Sequence, residues 1–153
     1  IMLAICIADY FNISTRNIKK GIENYTPTNN RSQIIKTKNN TLILDAYNAN
    51  PSSMKAMLLS FSKQGYSNKL CILGDMLELG KESEKEHQGI ILLCTKLNLD
   101  CHYIGEEFKK VNKKAFKNRK EFEDKLKQES ISRNTILLKG SRMIGLEKLV
   151  EHL

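Results

Sequence analysis

The sequence predicts an α/β fold: a Rossmann-like three-layer domain on a mainly parallel sheet, preceded by a short helical segment. Three observations lead there. From residue 41 onward, apolar runs of about five residues alternate with helical stretches of ~10–15, the pattern of βαβ units. The strand candidates end in polar loops holding Asp, Asn, Gly and Pro, residues that turn the chain. No internal repeat or low-complexity segment points to another architecture. Right-handed crossovers between parallel strands then give a doubly wound layer structure.

Ile1 to Phe11 is apolar at helical spacing and closed by Asn12; Ser14 caps a second helix through Ile22. Thr26-Pro27-Thr28-Asn29-Asn30 is a break, because Pro stops a helix and Asn favours turns. Residues 31–38 read as an edge strand, and Asn39-Asn40 as a tight hairpin turn. Strands are expected at Thr41–Asp45, Lys69–Leu73, Cys101–Ile104 and Thr135–Lys139, with a short one near Lys114–Lys117. Helices are expected at Ser52–Gln64, Ser83–Leu97, Glu106–Lys113, Lys120–Gln128 and Leu146–Leu153. Ser83 and Glu86 have the spacing of a capping box.

Composition excludes several classes. At 153 residues the chain is long enough for one ordinary core. No window approaches the ~18 uncharged apolar residues of a membrane span, so no membrane insertion is expected. The net charge of +8 invites a nucleic-acid reading. The lysines are scattered, however, and the densest run, Lys109 to Lys120, carries Phe108, Val111, Ala115 and Phe116 on its apolar side. A solvated helix face explains it, and no nucleic-acid partner is expected. Cys6, Cys71, Cys94 and Cys101 form no CxxC pair; buried free thiols in a reducing cytosol account for them, and no metal site is assigned. The sequence starts without Met in what reads as mid-helix, so a piece of a longer protein is expected.

In such a sheet ligands gather at the C-terminal ends of the strands. The loop after the strand at 41–45 carries Asp45, Tyr47, Asn48 and Asn50 before Pro51. A strand-end carboxylate can accept two ribose hydroxyls, and the two Asn bring donors and acceptors. Equally, Asn50 can cap a helix with Pro51 at its first position while Asp45 satisfies loop amides. The loop Gly74-Asp75-Met76-Leu77-Glu78-Leu79-Gly80-Lys81 is not a phosphate loop: five residues separate the glycines, and Glu82 stands where a hydroxyl is needed. Asp75 and Glu78 can still form a polar rim, with His87 facing the same crevice or partly buried in its helix. The loop Lys139-Gly140-Ser141-Arg142 places two cations before a helix, which opposes the helix dipole unless an anion sits there; Gly140 would let backbone approach a ligand closely. The bland alternative is a basic capping loop.

These segments, with Tyr25-Thr26-Pro27-Thr28-Asn29-Asn30-Arg31-Ser32-Gln33 ahead of them, resemble the C-terminal domain of the Mur ligases. Tyr47-Asn48-Ala49-Asn50-Pro51 and Gly74-Asp75-Met76-Leu77-Glu78-Leu79-Gly80 are similar to the branch that adds D-alanyl-D-alanine (D-Ala-D-Ala) to UDP-N-acetylmuramoyl-tripeptide. The sibling that adds the third amino acid has Tyr-Ala-His in the first loop, and folylpolyglutamate synthases share the fold but not these loops. The resemblance implies a cytoplasmic, three-domain, ATP-dependent amide ligase of peptidoglycan precursor synthesis, working through an acyl phosphate. It implies that residues 1–28 end a central ATP-binding domain and that 29–153 form the mobile C-terminal domain. The phosphate loop and Mg²⁺ ligands are expected outside this chain, with the N-terminal and central domains of the same protein as partners. It further implies Arg31 as the catalytic arginine reaching the nucleotide phosphates, Asp45 as the acid on the ribose, and Tyr47, Asn48 and Asn50 beside it. Lys139, Ser141 and Arg142 fall to the peptide substrate. A stand-alone Rossmann-like nucleotide-binding module without catalysis is the alternative.

Overall fold

The computed structural model describes residues 1–25 and 27–153; Thr26, inside the expected break, lies outside the described residues. Helices α1 (Met2–Tyr10) and α2 (Thr15–Glu23) come first. Asn12, at φ 56°, turns the chain between them. Ser14 caps α2 by accepting from the Asn17 amide at 3.4 Å. No residue of either helix is buried. Strands β1 (Gln33–Lys36) and β2 (Thr41–Asp45) then pair antiparallel. Strands β3 (Lys69–Gly74), β4 (Asp100–Ile104) and β5 (Thr135–Lys139) complete a sheet of order β1-β2-β5-β3-β4. All its pairings but the first are parallel. The strand latest in sequence therefore sits in the middle.

Alternate residues of a strand face opposite sides of the sheet, and the core divides accordingly. Leu42, Leu44, Ile72, Ile136 and Leu138 pack on one face beneath α6 (Arg119–Gln128), through Phe122 and Leu126, and beneath the 3₁₀ segment Leu146–His152, through Leu146 and Leu149. Cys71, Leu73, Tyr103 and Leu137 fill the other face. Above them lie Met54, Leu58 and Phe61 of α3 (Pro51–Lys63), Ile90 and Cys94 of α4 (Ser83–Lys96), and Phe108 of α5 (Glu106–Val111). Each fully buried side chain of this size is worth ~1.5–3 kcal/mol. Because both faces of β3 and β5 are covered, their sequences read as unbroken apolar runs rather than alternations.

Four expectations are corrected. The hairpin between β1 and β2 is not a two-residue turn. Its register, Lys36 opposite Thr41, leaves four residues in the loop, where the Thr37 hydroxyl accepts from the amides of Asn39 and Asn40. The Ser83–Glu86 capping box does not form. A 3₁₀ turn, Gly80–Glu82, already leads into α4, so Ser83 is inside the helix; its hydroxyl donates to Glu107 at 2.7 Å, while Glu86 pairs with Lys55. The strand near 114–117 is a single bridge between Ile104 and Phe116. The closing helix is 3₁₀ rather than α. Of the cysteines, Cys71 and Cys94 are buried, Cys101 is half-buried and Cys6 is exposed; all are free thiols. A hydrogen bond with Cys71, together with burial, pushes the Cys101 thiol up to about 12, so it stays protonated and inert at neutral pH.

Candidate functional site

Register delivers the first pair of site residues. Asp45 and Lys139 end β2 and β5 opposite each other. Their side chains meet, with Lys139 Nζ 2.5 Å from Asp45 Oδ2. Lys139 is 3% exposed, a burial a lysine tolerates when paired. The other carboxylate oxygen, Oδ1, accepts from the Ser32 amide at 3.0 Å. The Tyr47 amide donates to Asn30 O at 3.2 Å. The segment carrying Arg31 is thus tied to the loop after β2 at two points, and the Arg31 guanidinium lies 4.0 Å above the centre of the Tyr47 ring.

Two depressions open at this end of the sheet, on either side of Tyr47 and Asn48. One, about 460 Å³, is lined by Arg31, Asp45, Tyr47, Asn48, Asn50, Ser53 and Lys139. The other, about 250 Å³, is lined by Tyr47, Asn48, Leu77, Glu78, Ser141, Arg142 and Met143. Arg142 also approaches the Tyr47 ring, at 5.6 Å. The first holds every residue expected on the nucleotide side, and Lys139 as well. The second holds Ser141 and Arg142. The expected peptide-side trio is therefore divided: Lys139 faces Asp45, away from its two loop neighbours.

Several of these side chains have structural duties. Asn50 caps α3, its carboxamide oxygen accepting from Ser53 N at 2.9 Å with the Ser53 hydroxyl returning the bond. Asn48 Oδ1 accepts from Ala49 N at 2.8 Å. Neither amide nitrogen donates to a protein atom among the described residues, so both keep donors for a ligand. Ser141 joins two loops: its amide donates to Asp75 O at 2.9 Å, and its hydroxyl oxygen accepts from Leu77 N at 2.9 Å. Gly140 serves strand packing rather than ligand approach, because a Cβ there would lie 2.8 Å from Gly74 Cα.

Asp75 is corrected: it is buried, not at a rim; for His87 the alternative of burial in its helix is the one that holds. Asp75 accepts from the amides of Glu107 and Phe108, each at 2.9 Å, and so caps α5 from another loop. Burial raises its pKa, with those two amides pulling the other way. His87 Nε2 accepts from Met76 N at 3.0 Å while Nδ1, 2.7 Å from Ser83 O, donates to it, which fixes the neutral Nδ1–H tautomer. Asp75, His87 and Ser141 together hold the 75–80 loop that presents Glu78 to the smaller depression. Sequence reasoning missed Ser32, Leu77 and Met143, small or apolar residues whose type carries no chemical signal. What marked them was only their place next to Arg31, Glu78 and Arg142.

Comparison with known proteins gives consistent findings. The family described as "Mur ligase, glutamate ligase domain" matches residues 30–142. The UDP-N-acetylmuramoyl-tripeptide–D-alanyl-D-alanine ligase of Bacillus subtilis is 34% identical over 99% of this chain, which spans 36% of that relative. The structure of MurF from Acinetobacter baumannii superposes with a TM-score of 0.76 at 27% identity, covering 96% of this chain and 34% of that one. MurF of Thermotoga maritima, solved with ADP, superposes at 0.77 over 97% of this chain and 35% of its own, with 18% identity, a likeness of fold. The chain thus spans about a third of the length of these proteins. With its order of loops, its sheet and the family match over 113 of 153 residues (30–142) in agreement, the chain belongs to the Mur ligase family.

Proposed function

We propose that this chain is the C-terminal domain of an ATP-dependent ligase that joins D-Ala-D-Ala to UDP-N-acetylmuramoyl-tripeptide in the cytoplasm. Residues 29–153 form that domain, and residues 1–28 are the end of the central ATP-binding domain. The observation that carries the reading is the larger depression. It sets an acid (Asp45), a ring (Tyr47), two carboxamides (Asn48, Asn50) and a cation (Arg31) at the C-terminal end of one sheet. Those groups suit the ribose, base and phosphates of a nucleotide. Asp45 retains acceptor capacity beyond the bonds from Ser32 and Lys139, since an ionised carboxylate has about four lone-pair sites.

The residues fit half of an ATP site. The phosphate loop and the ligands for Mg²⁺ belong to the central domain, which presents the nucleotide to Arg31 when the two domains close. Arg31 then neutralises charge on the transferring phosphoryl group, whose transition state needs positioning and electrostatic clamps more than protein nucleophiles. Closure also excludes water from the acyl phosphate until the dipeptide amine displaces phosphate and forms the amide. Arg142 and Ser141, in the neighbouring depression, hold the incoming peptide substrate.

The test is phosphate release by the intact ligase with UDP-N-acetylmuramoyl-tripeptide, ATP and Mg²⁺. The proposal expects release only when D-Ala-D-Ala is added, with one amide formed per phosphate. Release driven by a single amino acid instead of the dipeptide would overturn the assignment of substrate.

A further inference from the structure

The smaller depression carries one group the function above leaves unused. Glu78 and Arg142 line it from different loops, with Leu77, Met143 and Tyr47 as apolar walls. Both charged residues are exposed. Among the described residues neither enters an ion pair within 4.0 Å, although nine Lys or Arg side chains pair with carboxylates elsewhere. A carboxylate and a guanidinium that share one cleft without meeting leave room for a ligand with the opposite pattern.

The backbone supports a built arrangement. Glu78 sits at φ 68°, a left-handed conformation that is costly for a residue with a Cβ and common in Gly or Asn. Gly80 follows at φ 54°. The loop before Glu78 is immobilised by the buried Asp75, His87 and Ser141 bonds already described. A strained residue on a clamped loop that projects a carboxylate into a cleft is the pattern expected at a ligand contact.

We propose that Glu78 and Arg142 together read a zwitterion: Arg142 binds the carboxylate of the incoming D-Ala-D-Ala, and Glu78 binds its ammonium end before that end enters the reaction as the free amine. This deepens the proposed function and rests on it. Two residues at ~3.3–3.6 Å each give a dipeptide roughly 7 Å between its charged ends, a span beyond ion-pair range. The 250 Å³ space is below the ~300–1,000 Å³ of pockets for drug-sized ligands, so it suits a ligand with two methyl side chains. Glu78 is a specificity residue in this account. It selects for a free amino end, and loss of the proton goes to solvent.

The experiment uses the intact ligase and varies each substrate in turn. Glu78→Gln should raise KM for D-Ala-D-Ala about tenfold, the loss of one charge-assisted hydrogen bond, with KM for ATP and kcat at saturating dipeptide nearly unchanged. Arg142→Ala should raise the same KM to a similar degree. D-alanyl-D-alanine amide, which lacks the carboxylate, separates the two: the Arg142→Ala penalty should vanish with it, and the Glu78→Gln penalty should remain. Glu78→Gly relieves the backbone strain, so a purely conformational role predicts normal KM in that variant, whereas the proposal predicts the same rise as in Glu78→Gln. An active wild-type enzyme whose dipeptide KM is unmoved by Glu78→Gln overturns this inference alone. A wild-type enzyme with no ligation of D-Ala-D-Ala overturns the functional reading beneath it.

Discussion

Arg31 is held by a ring face and not by an anion: its guanidinium stacks 4.0 Å from the Tyr47 centroid, and no ion pair involves it among the described residues. A cation kept in that way retains its charge for a ligand while its position is restricted. Arg31→Ala in the intact ligase should lower kcat by ~10²–10³-fold, the usual cost of losing a transition-state donor, with a smaller change in KM for ATP. An unchanged kcat in a folded variant would make Arg31 an ordinary surface residue. Lys139 presents the contrasting case. It is buried and its ammonium lies against Asp45, so Lys139→Met leaves a carboxylate without its cation. Breaking a buried pair costs ~3–5 kcal/mol; with Asp45 17% exposed, the lower end is expected in denaturant unfolding. The roles of these residues were unevenly legible. Asp45 and Tyr47 could be placed together from the sequence because strand ends and ligand loops follow topology; Arg31 joined them only through the family resemblance, since it lies before β1 and not in a strand-end loop. The pairing of Lys139 with Asp45 could not be read from the sequence, because it depends on which strands are neighbours, and β5 inserts next to β2 across 89 residues of intervening chain (46–134).

At the scale of elements, helices and strands were read well where periodicity or apolar runs decided them, as in α3, β3 and β5. Local motifs misled where the preceding chain had already set the geometry. Ser83 has the right partner three residues on, but the 3₁₀ turn at Gly80–Glu82 moved the start of the helix ahead of it. The cap of α5 was invisible for the opposite reason, since it comes from Asp75, 31 residues before Glu106. That cap makes Gly105 indispensable. A Cβ there would lie 2.1 Å from Asp75 Cγ, and φ is 134°. Gly105→Ala should therefore destabilise by roughly 3 kcal/mol or more, from combined strain and loss of the cap, read as a lower unfolding midpoint. On β4, His102 packs against Phe116 and Phe122 at ring distances of 6.0 and 5.1 Å. Burial, with Lys125 nearby, lowers its pKa below the usual 6.5. The unfolded chain then binds the proton more readily than the fold. Stability attributable to His102 is full above pH 6.5 and is lost as pH falls through the lowered value. His102→Phe should flatten that part of the stability–pH curve, and an unchanged slope would assign the acid sensitivity elsewhere.

At the scale of the molecule, the two leading helices behave differently from the rest. Ile1, Met2, Leu3, Ile7, Tyr10 and Phe11 are exposed by half or more, and a groove of about 640 Å³ runs between α1 and α2 beside Ile13, Ile18, Ile22 and Tyr25. Exposed apolar surface of this extent marks an interaction surface, which is in keeping with the proposal that residues 1–28 finish the central domain. A chain of residues 29–153 should then unfold within roughly 3 °C of the 1–153 chain, since no buried contact of α1 or α2 is removed, and it should aggregate less. A fall of ten degrees would mean that the helices are part of the C-terminal domain after all.

The central position of β5 also governs how the sheet can be assembled. The β1–β2 hairpin and the β3–α4–β4 unit lie earlier in the chain and have no strand pairing to each other. Until residues 135–139 arrive, each presents an open parallel-pairing edge, the kind of surface that invites association with other chains. Insertion of one five-residue segment then closes two ladders at once, β2–β5 and β5–β3. During synthesis the domain should therefore gain protease resistance in one late step, after Lys139 has left the ribosome, and nascent chains stopped before Thr135 should remain cleavable and prone to aggregate.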